Sequence, residues 1–128
     1  ILLITASDQL CNLAKLSVMR FRPTHEPHLQ SLVHTVNGYR GGMYGFYSGH
    51  SANSFSLAFF IISSISKKHK YIIPVALGYA SLTAYSRIYL GVHYPGDIIT
   101  GAFMGILAGT GFAYIHNKIR IKFFIIKD

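Results

Sequence analysis

The stretch "SRIYLGVHYPGD", residues 86–97, places a cation, an imidazole and a carboxylate close together in a chain that is mostly apolar. His93 and Asp97 are four residues apart, directly before a long hydrophobic segment. A carboxylate bonded to one imidazole nitrogen fixes the tautomer and makes the other nitrogen a better nucleophile. The spacing therefore predicts a nucleophilic His93 that Asp97 orients.

Two further polar stretches supply cations and a second imidazole. "KLSVMRFRP", residues 15–23, contributes Lys15 and Arg22, and Arg87 adds a third cation. Guanidinium groups match the geometry of phosphate oxygens, so three converging cations predict a site for a phosphoryl group.

"YSGHS", residues 47–51, precedes a predicted helix start. Ser48 offers a hydroxyl donor, and Gly49 lets its backbone N–H approach an anion at the helix N-terminus. His50 is placed to protonate a leaving oxygen. Together the three stretches predict phosphoryl transfer.

A metal-dependent mechanism is the main competitor, and the composition disfavours it. The chain has four acidic residues, one cysteine (Cys11) and no HExxH pattern, whereas two-metal phosphatases need several carboxylates. We expect no metal and no other cofactor, because the cations supply the positive charge.

The elements that must position these residues are apolar helices. Hydrophobic residues make up 51% of the chain and charged residues 12%, about half the usual share of a soluble domain. The composition predicts an all-α integral membrane bundle, with a soluble α-bundle as the alternative. The predicted helices lie in four apolar segments: 1–14, 55–66, 71–85 and 98–115.

Three glycines and a proline refine this prediction. Gly101, Gly105 and Gly109 form a repeated GxxxG pattern, which favours close helix packing in membranes. Pro74 falls in the first turn of the third segment, where proline is tolerated.

The basic residues predict a topology. Two clusters follow the second and fourth segments, and the positive-inside rule makes their side cytoplasmic. Residues 15–50 and 86–97 then share the outer side. The sequence has no basic stripe of the kind that binds nucleic acid, so we expect no nucleic-acid partner. The clusters are Lys67, Lys68 and Lys70, and Lys118, Arg120, Lys122 and Lys127.

In combination the three polar stretches resemble the type 2 phosphatidic acid phosphatase (PAP2) superfamily. Its K-x6-RP motif matches Lys15 to Pro23, its PSGH motif matches "YSGH" at 47–50, and its SR-x5-H-x3-D motif matches Ser86 to Asp97. Tyr47 departs from the proline of the second motif, which we expect to alter loop rigidity or substrate fit.

The resemblance implies a membrane lipid phosphatase in which His93 forms a phosphohistidine, Asp97 orients it and His50 transfers protons. It implies that the phosphate oxygens are held by Lys15, Arg22, Ser48, Gly49 and Arg87. It also implies six spans, of which this single domain, residues 1–128, would retain four after loss of N-terminal helices.

Several points stay open at this level. Undecaprenyl diphosphate is favoured as substrate over phosphatidic acid and phosphatidylglycerol phosphate, in a bacterial inner membrane with an outward-facing site. A lipid phosphotransferase and a non-catalytic scaffold are the alternatives. Asp8 is unassigned, Arg20 and Arg40 are expected at the surface, and the glycine-rich loop 24–46 is expected to be mobile and could gate the site.

Overall fold

The protein is all-α in a computed structural model that describes residues 1–65 and 69–125. The predicted all-α class is confirmed for these residues, among which one isolated bridge, Phe21 to Tyr44, is the only β-type pairing. Each helix matches one predicted apolar segment, although α1 and α3 begin one residue after their segments and Ser66 lies outside the described residues. The helices are α1 (Leu2–Val18), α2 (Gly49–Ile65), α3 (Ile72–Tyr89) and α4 (Pro95–Ile125).

The helix that carries the glycine pattern has the clearest membrane character. Among the residues described, one helix is long and apolar enough to cross a membrane, over Pro95–Lys122. The six-span architecture stays a prediction.

The helices that flank the site begin at side-chain caps. Ser48 precedes α2, and its Oγ accepts the Ser51 N–H at 3.4 Å. Asp97, in the first turn of α4, accepts the Tyr94 N–H at 2.9 Å. Both interactions satisfy backbone donors that a helix N-terminus leaves free. The same residues that the sequence suggested for chemistry therefore also define where two helices start.

Helices α2 and α4 pack through their backbones. A Cβ added at Gly105 or Gly109 would overlap a carbonyl of α2. A Cβ at Gly101 would lie 2.5 Å from the carbonyl oxygen of Ser48, directly before α2. The close approach predicted from the GxxxG pattern is confirmed. In order, the three glycines face the carbonyl oxygens of Ser48, Ala52 and Ser56.

The polar stretches meet at one end of the bundle. The Ser48 N–H donates to the Asp97 carbonyl at 3.1 Å, joining the start of α2 to the start of α4. At the other end, Asn117 Nδ2 donates to the Ser63 carbonyl at 3.5 Å. Residues 15–50 and 86–97 thus share one end, as the topology predicts. Of the basic clusters, Lys67, Lys68 and Lys127 lie outside the described residues.

The connection between α1 and α2 folds back on itself beside this end. The Arg22 N–H donates to the Met43 carbonyl at 3.0 Å, and the Gly45 N–H donates to the Arg20 carbonyl at 2.9 Å. Buried Thr24 donates its hydroxyl to the Arg40 carbonyl at 2.8 Å. These bonds tie the two arms of the loop together next to Arg22; a gating role for the loop stays a prediction.

Candidate active site

A cavity of about 480 Å³ opens at the end of the bundle where the polar stretches meet. Five of the eight predicted site residues line it: Lys15, Arg22, Gly49, His50 and His93. They come from the end of α1, the following loop, the start of α2 and the loop before α4. Distant parts of the chain therefore converge on one space large enough for a headgroup.

His93 is buried, with 4% of its surface exposed, and of its two ring nitrogens Nε2 has a hydrogen-bond partner and Nδ1 has none among the described residues. Nδ1 lies 3.4 Å from Asp97 Oδ2, a contact longer than an ordinary hydrogen bond. Nε2 lies 3.2 Å from Arg22 Nη1. Since a guanidinium group only donates, Nε2 must accept, and the ring proton is on Nδ1 facing Asp97. The lone pair of Nε2 thus faces the cationic side of the site.

The same environment keeps this imidazole neutral. Burial lowers the pKa of His93 to about 3, and the positive charges of Arg22 and Lys15 act in the same direction. A neutral ring has a free lone pair at any ordinary pH, which a nucleophile needs. A bound phosphate would offset the cationic charge and make a protonated or phosphorylated ring easier to form.

Asp97 is fully buried and has a cationic partner that the sequence did not reveal. The Arg20 guanidinium contacts Asp97 Oδ1 directly. It also lies over the rings of Phe46 and Tyr94, 5.0 and 5.1 Å from their centroids. The sequence led us to expect Arg20 at the surface, but in the structure it supports the site. No spacing rule distinguishes it from other loop arginines, so only the fold could have found it.

Two glycines of the loop make room for Arg22. A Cβ at Gly45 would lie 3.0 Å from Arg22 Cγ and 3.6 Å from both Asp97 Oδ2 and His93 Nδ1. A Cβ at Gly41 would lie 3.0 Å from Arg22 Nη1, and this glycine also has a positive φ of 67°. Two of the four glycines in loop 24–46 therefore serve close packing around the arginine.

Gly49 has a similar role between α1 and α2. A Cβ there would lie 3.2 Å from Cys11 Sγ and 3.9 Å from Lys15 Nζ. Cys11 is buried and donates its thiol to the Tyr47 carbonyl at 3.2 Å. Tyr47, which departs from the family's proline, is thus part of the packing that holds Lys15 against the start of α2.

The remaining three predicted residues lie around the cavity and do not line it. Asp97 stands behind His93, and Ser48 is fully buried as the cap of α2. Arg87 is partly buried, with its Nε donating to Ser86 Oγ at 3.0 Å. Burial lowers the pKa of Arg22, and the nearby charge of Arg87 acts in the same direction. The direct phosphate contacts of Ser48 and Arg87 stay predictions.

In chemical terms the cavity combines a neutral imidazole acceptor, a second imidazole and at least two cations. Cations of this kind bind a phosphoryl group, and a transition state of phosphoryl transfer needs little else besides a nucleophile and a proton donor. In the part of the chain that is described, no three His, Cys, Asp or Glu residues form a group that could hold a metal ion.

Comparison with known proteins agrees with this geometry. The family model of the PAP2 superfamily matches residues 1–121. A lipid A 4'-phosphatase of Bacteroides thetaiotaomicron is 44% identical over 94% of this chain and 54% of its own length. A lipid A 4'-phosphatase of Porphyromonas gingivalis is 47% identical over 70% of this chain and 37% of its own.

A third relative and a solved structure come from Bacillus subtilis. Its phosphatidylglycerophosphatase B is 33% identical over 83% of this chain and 51% of its own length. The crystal structure of a transmembrane PAP2-type phosphatidylglycerolphosphate phosphatase from that organism superimposes with a TM-score of 0.71 and 30% identity, over 92% of this chain and 57% of that one. The chain spans about half the length of most of these relatives. On the family match, the three motifs and the shared fold, the chain belongs to the PAP2 superfamily.

Proposed function

We propose that the protein is a membrane lipid phosphatase that removes a phosphate group from a lipid headgroup through a phosphohistidine on His93. The observation that carries the proposal is the orientation of a buried, neutral imidazole: its Nε2 lone pair meets Arg22 at 3.2 Å in the cavity that Lys15 and His50 also line. An imidazole held in this way is a nucleophile next to a phosphate site.

In the first step, His93 Nε2 attacks phosphorus and the ester P–O bond breaks. Arg22 leaves Nε2 and, with Lys15, binds the phosphate oxygens, which stabilises the charge of the pentavalent transition state. Burial and the charges of Arg87, Arg22 and Lys15 lower the pKa of His50, so it takes up a proton once the bound phosphate offsets those charges. It then gives this proton to the departing alkoxide, and the lipid leaves as an alcohol. Asp97 balances the positive charge that His93 gains.

In the second step, water attacks the phosphohistidine. His50, now neutral, takes a proton from the water, and the P–N bond breaks to release inorganic phosphate. His93 returns to its neutral form with the proton on Nδ1. Arg22 can then return to Nε2, which closes the cycle.

The relatives support a phosphomonoester as the substrate. Two are named for lipid A 4'-phosphate and one for phosphatidylglycerophosphate, and the two lipid A 4'-phosphatases are the more similar in sequence. We therefore place these two substrate types ahead of phosphatidic acid and of undecaprenyl diphosphate, which the sequence had favoured.

The charge distribution supports an outward-facing site in a bacterial inner membrane. Lys70, Lys118, Arg120 and Lys122 belong to the end of the bundle opposite the cavity. Basic residues collect on the cytoplasmic side of membrane proteins, so the cavity would open on the other face.

The test is phosphate release by the purified protein in detergent. Lipid A carrying a 4'-phosphate, phosphatidylglycerol phosphate and undecaprenyl diphosphate are offered with chelator present, with and without vanadate, beside His93→Ala. We expect chelator-resistant, vanadate-sensitive release that is lost in the variant. Transfer of the phosphoryl group to an added alcohol would point to a phosphotransferase, and release unchanged in His93→Ala would overturn the proposal.

A further inference from the structure

A carboxylate and a carboxamide extend the cavity beyond the phosphate site. Asp8 and Asn53 both line it, and Asn53 Nδ2 donates to Asp8 Oδ1 at 2.7 Å. The phosphoryl-transfer steps described above use neither residue. Burial and three cations lower the pKa of His50, and the charge of Asp8 acts in the opposite direction and raises it. A carboxylate close to a phosphate dianion also opposes its binding by charge repulsion, so a contact with the substrate would have to offset this cost.

The order of residues along two helices places this pair between the cations and an apolar region. On α1, Lys15, Asp8 and Ile4 line the cavity, and on α2 His50, Asn53 and Leu57 line it. One helical turn rises about 5.4 Å, so Asn53 lies roughly one turn further from the start of α2 than His50 does. The cavity therefore runs from cations, through a carboxylate and amide, to aliphatic side chains.

This order matches the parts of a lipid with a phosphate at its head. In a lipid bound along this axis, the phosphate would meet the cations, the hydrocarbon would meet Ile4 and Leu57, and the carbons next to the phosphate ester would lie at the level of Asp8. Asp8 can accept further hydrogen bonds, since a carboxylate has about four acceptor positions and Asn53 occupies one. The matching ligand group at this level is a hydrogen-bond donor.

We propose that Asp8, held by Asn53, recognises a hydroxyl group next to the scissile phosphate ester and disfavours a second phosphate there. The inference rests on the proposed function and narrows its substrate class. It selects phosphomonoesters of hydroxyl-bearing headgroups, such as a glycerol or a sugar, over diphosphates. Asp8 is in this sense a specificity-determining residue that binds the substrate's alcohol portion.

The test uses two substrates that differ by one hydroxyl. Lysophosphatidic acid carries a hydroxyl on the carbon next to the phosphate-bearing one, and its 2-deoxy analogue lacks it. We expect wild-type kcat/KM to favour the hydroxylated substrate by about tenfold, as for a hydrogen bond to a charged group. Asp8→Ala should bring this ratio close to one. Asp8→Asn, which keeps the shape, should reduce it partly and raise the relative rate on farnesyl diphosphate.

Gln9→Ala is the matched control, because Gln9 is an exposed polar residue of α1 that does not line the cavity. It should keep the wild-type ratio. Two results would overturn the inference. One is a wild-type ratio near one. The other is a ratio unchanged in both Asp8 variants; if it came with an equal loss on both substrates, the pair would only join two helices. A wild type inactive on every substrate would remove the proposed function itself, and this inference with it.

Discussion

The two halves of the site differ in how firmly the fold holds them. The nucleophile half comprises His93, Asp97 and Ser48, whose exposed fractions are 4%, 0% and 0%. They sit at the junction of α2 and α4, where backbone groups touch through glycine. The cation half comprises Lys15, Arg22 and Arg87, which are all partly exposed and come from α1, a loop and α3.

This difference assigns a task to each half. The buried half is fixed before the substrate arrives, so its contribution is to the chemical step. The open half carries long, flexible side chains, and one of them, Arg22, contacts the nucleophile itself in the free protein. In the proposed mechanism its cations rearrange onto the phosphate, which would make their contribution one to binding as well as to transition-state stabilisation.

Substitutions in the two halves should separate kcat from KM, and this is the largest effect that we predict. In the proposed mechanism the charge of Asp97 orients His93 and balances it after attack. Asp97→Asn removes this charge and keeps the side-chain volume. We expect kcat to fall about 10³-fold with KM almost unchanged. Arg22→Lys removes the planar fork, and we expect KM to rise about tenfold with a smaller change in kcat.

Steady-state kinetics with a lipid phosphate in detergent would measure both variants.

Arg20→Ala gives an intermediate case, because Arg20 touches Asp97 and not the cavity. It should lower kcat by about tenfold with little effect on KM. If Asp97→Asn instead raised KM, the buried half would have a role in binding, and the comparison between the halves would be wrong.

Much of this arrangement could be predicted from the sequence. The four apolar segments became α1 to α4, and His93, His50, Lys15 and Arg22 do share one cavity. The length of an apolar segment and the spacing of a motif are local properties of the sequence, so they can be read without knowing the fold. The repeated GxxxG spacing likewise predicted a close helix contact, because a missing Cβ has the same effect in any helix pair; that the partner is α2 came from the fold.

The parts that could not be predicted depend on contacts between distant segments. Arg20 reaches Asp97 from 77 residues away in the chain, and Asp8 reaches Asn53 across 45 residues. Nothing in their local sequence identifies these partners. The glycines of loop 24–46 suggested mobility, whereas Gly41 and Gly45 make room for Arg22. A glycine's role depends on what faces it, which only the fold decides.

The glycine contact between α2 and α4 can be tested by adding single methyl groups. Gly105→Ala places a Cβ against the Ala52 carbonyl, a backbone atom that no rotamer change can move aside. Overpacking of this kind costs about 1–3 kcal/mol, so we expect a lower Tm and lower activity, since Ser48 and Asp97 lie at the end of the same contact. Gly111→Ala on α4 is the control, because nothing lies within 4 Å of its added Cβ. It should leave Tm unchanged or raise it slightly; equal Tm values for the two variants would mean that α2 and α4 are not packed through their backbones.

The burial of the nucleophile half should also make the stability of the protein depend on pH. The pKa of His93 is about 3 in the folded protein, mainly because of burial, against about 6.5 in an unfolded chain. Between these values the unfolded state binds one more proton, so the free energy of unfolding should decrease as the pH falls, by about 1.4 kcal/mol per unit at most.

His93→Gln removes this titration, and the difference between wild type and variant isolates it from other groups. Unfolding by SDS in mixed micelles, measured between pH 6.5 and pH 4.5, would give both slopes. A smaller slope in the variant is expected; identical slopes would mean that His93 takes up protons as readily as an exposed histidine, and that the nucleophile half is as open to water as the cation half.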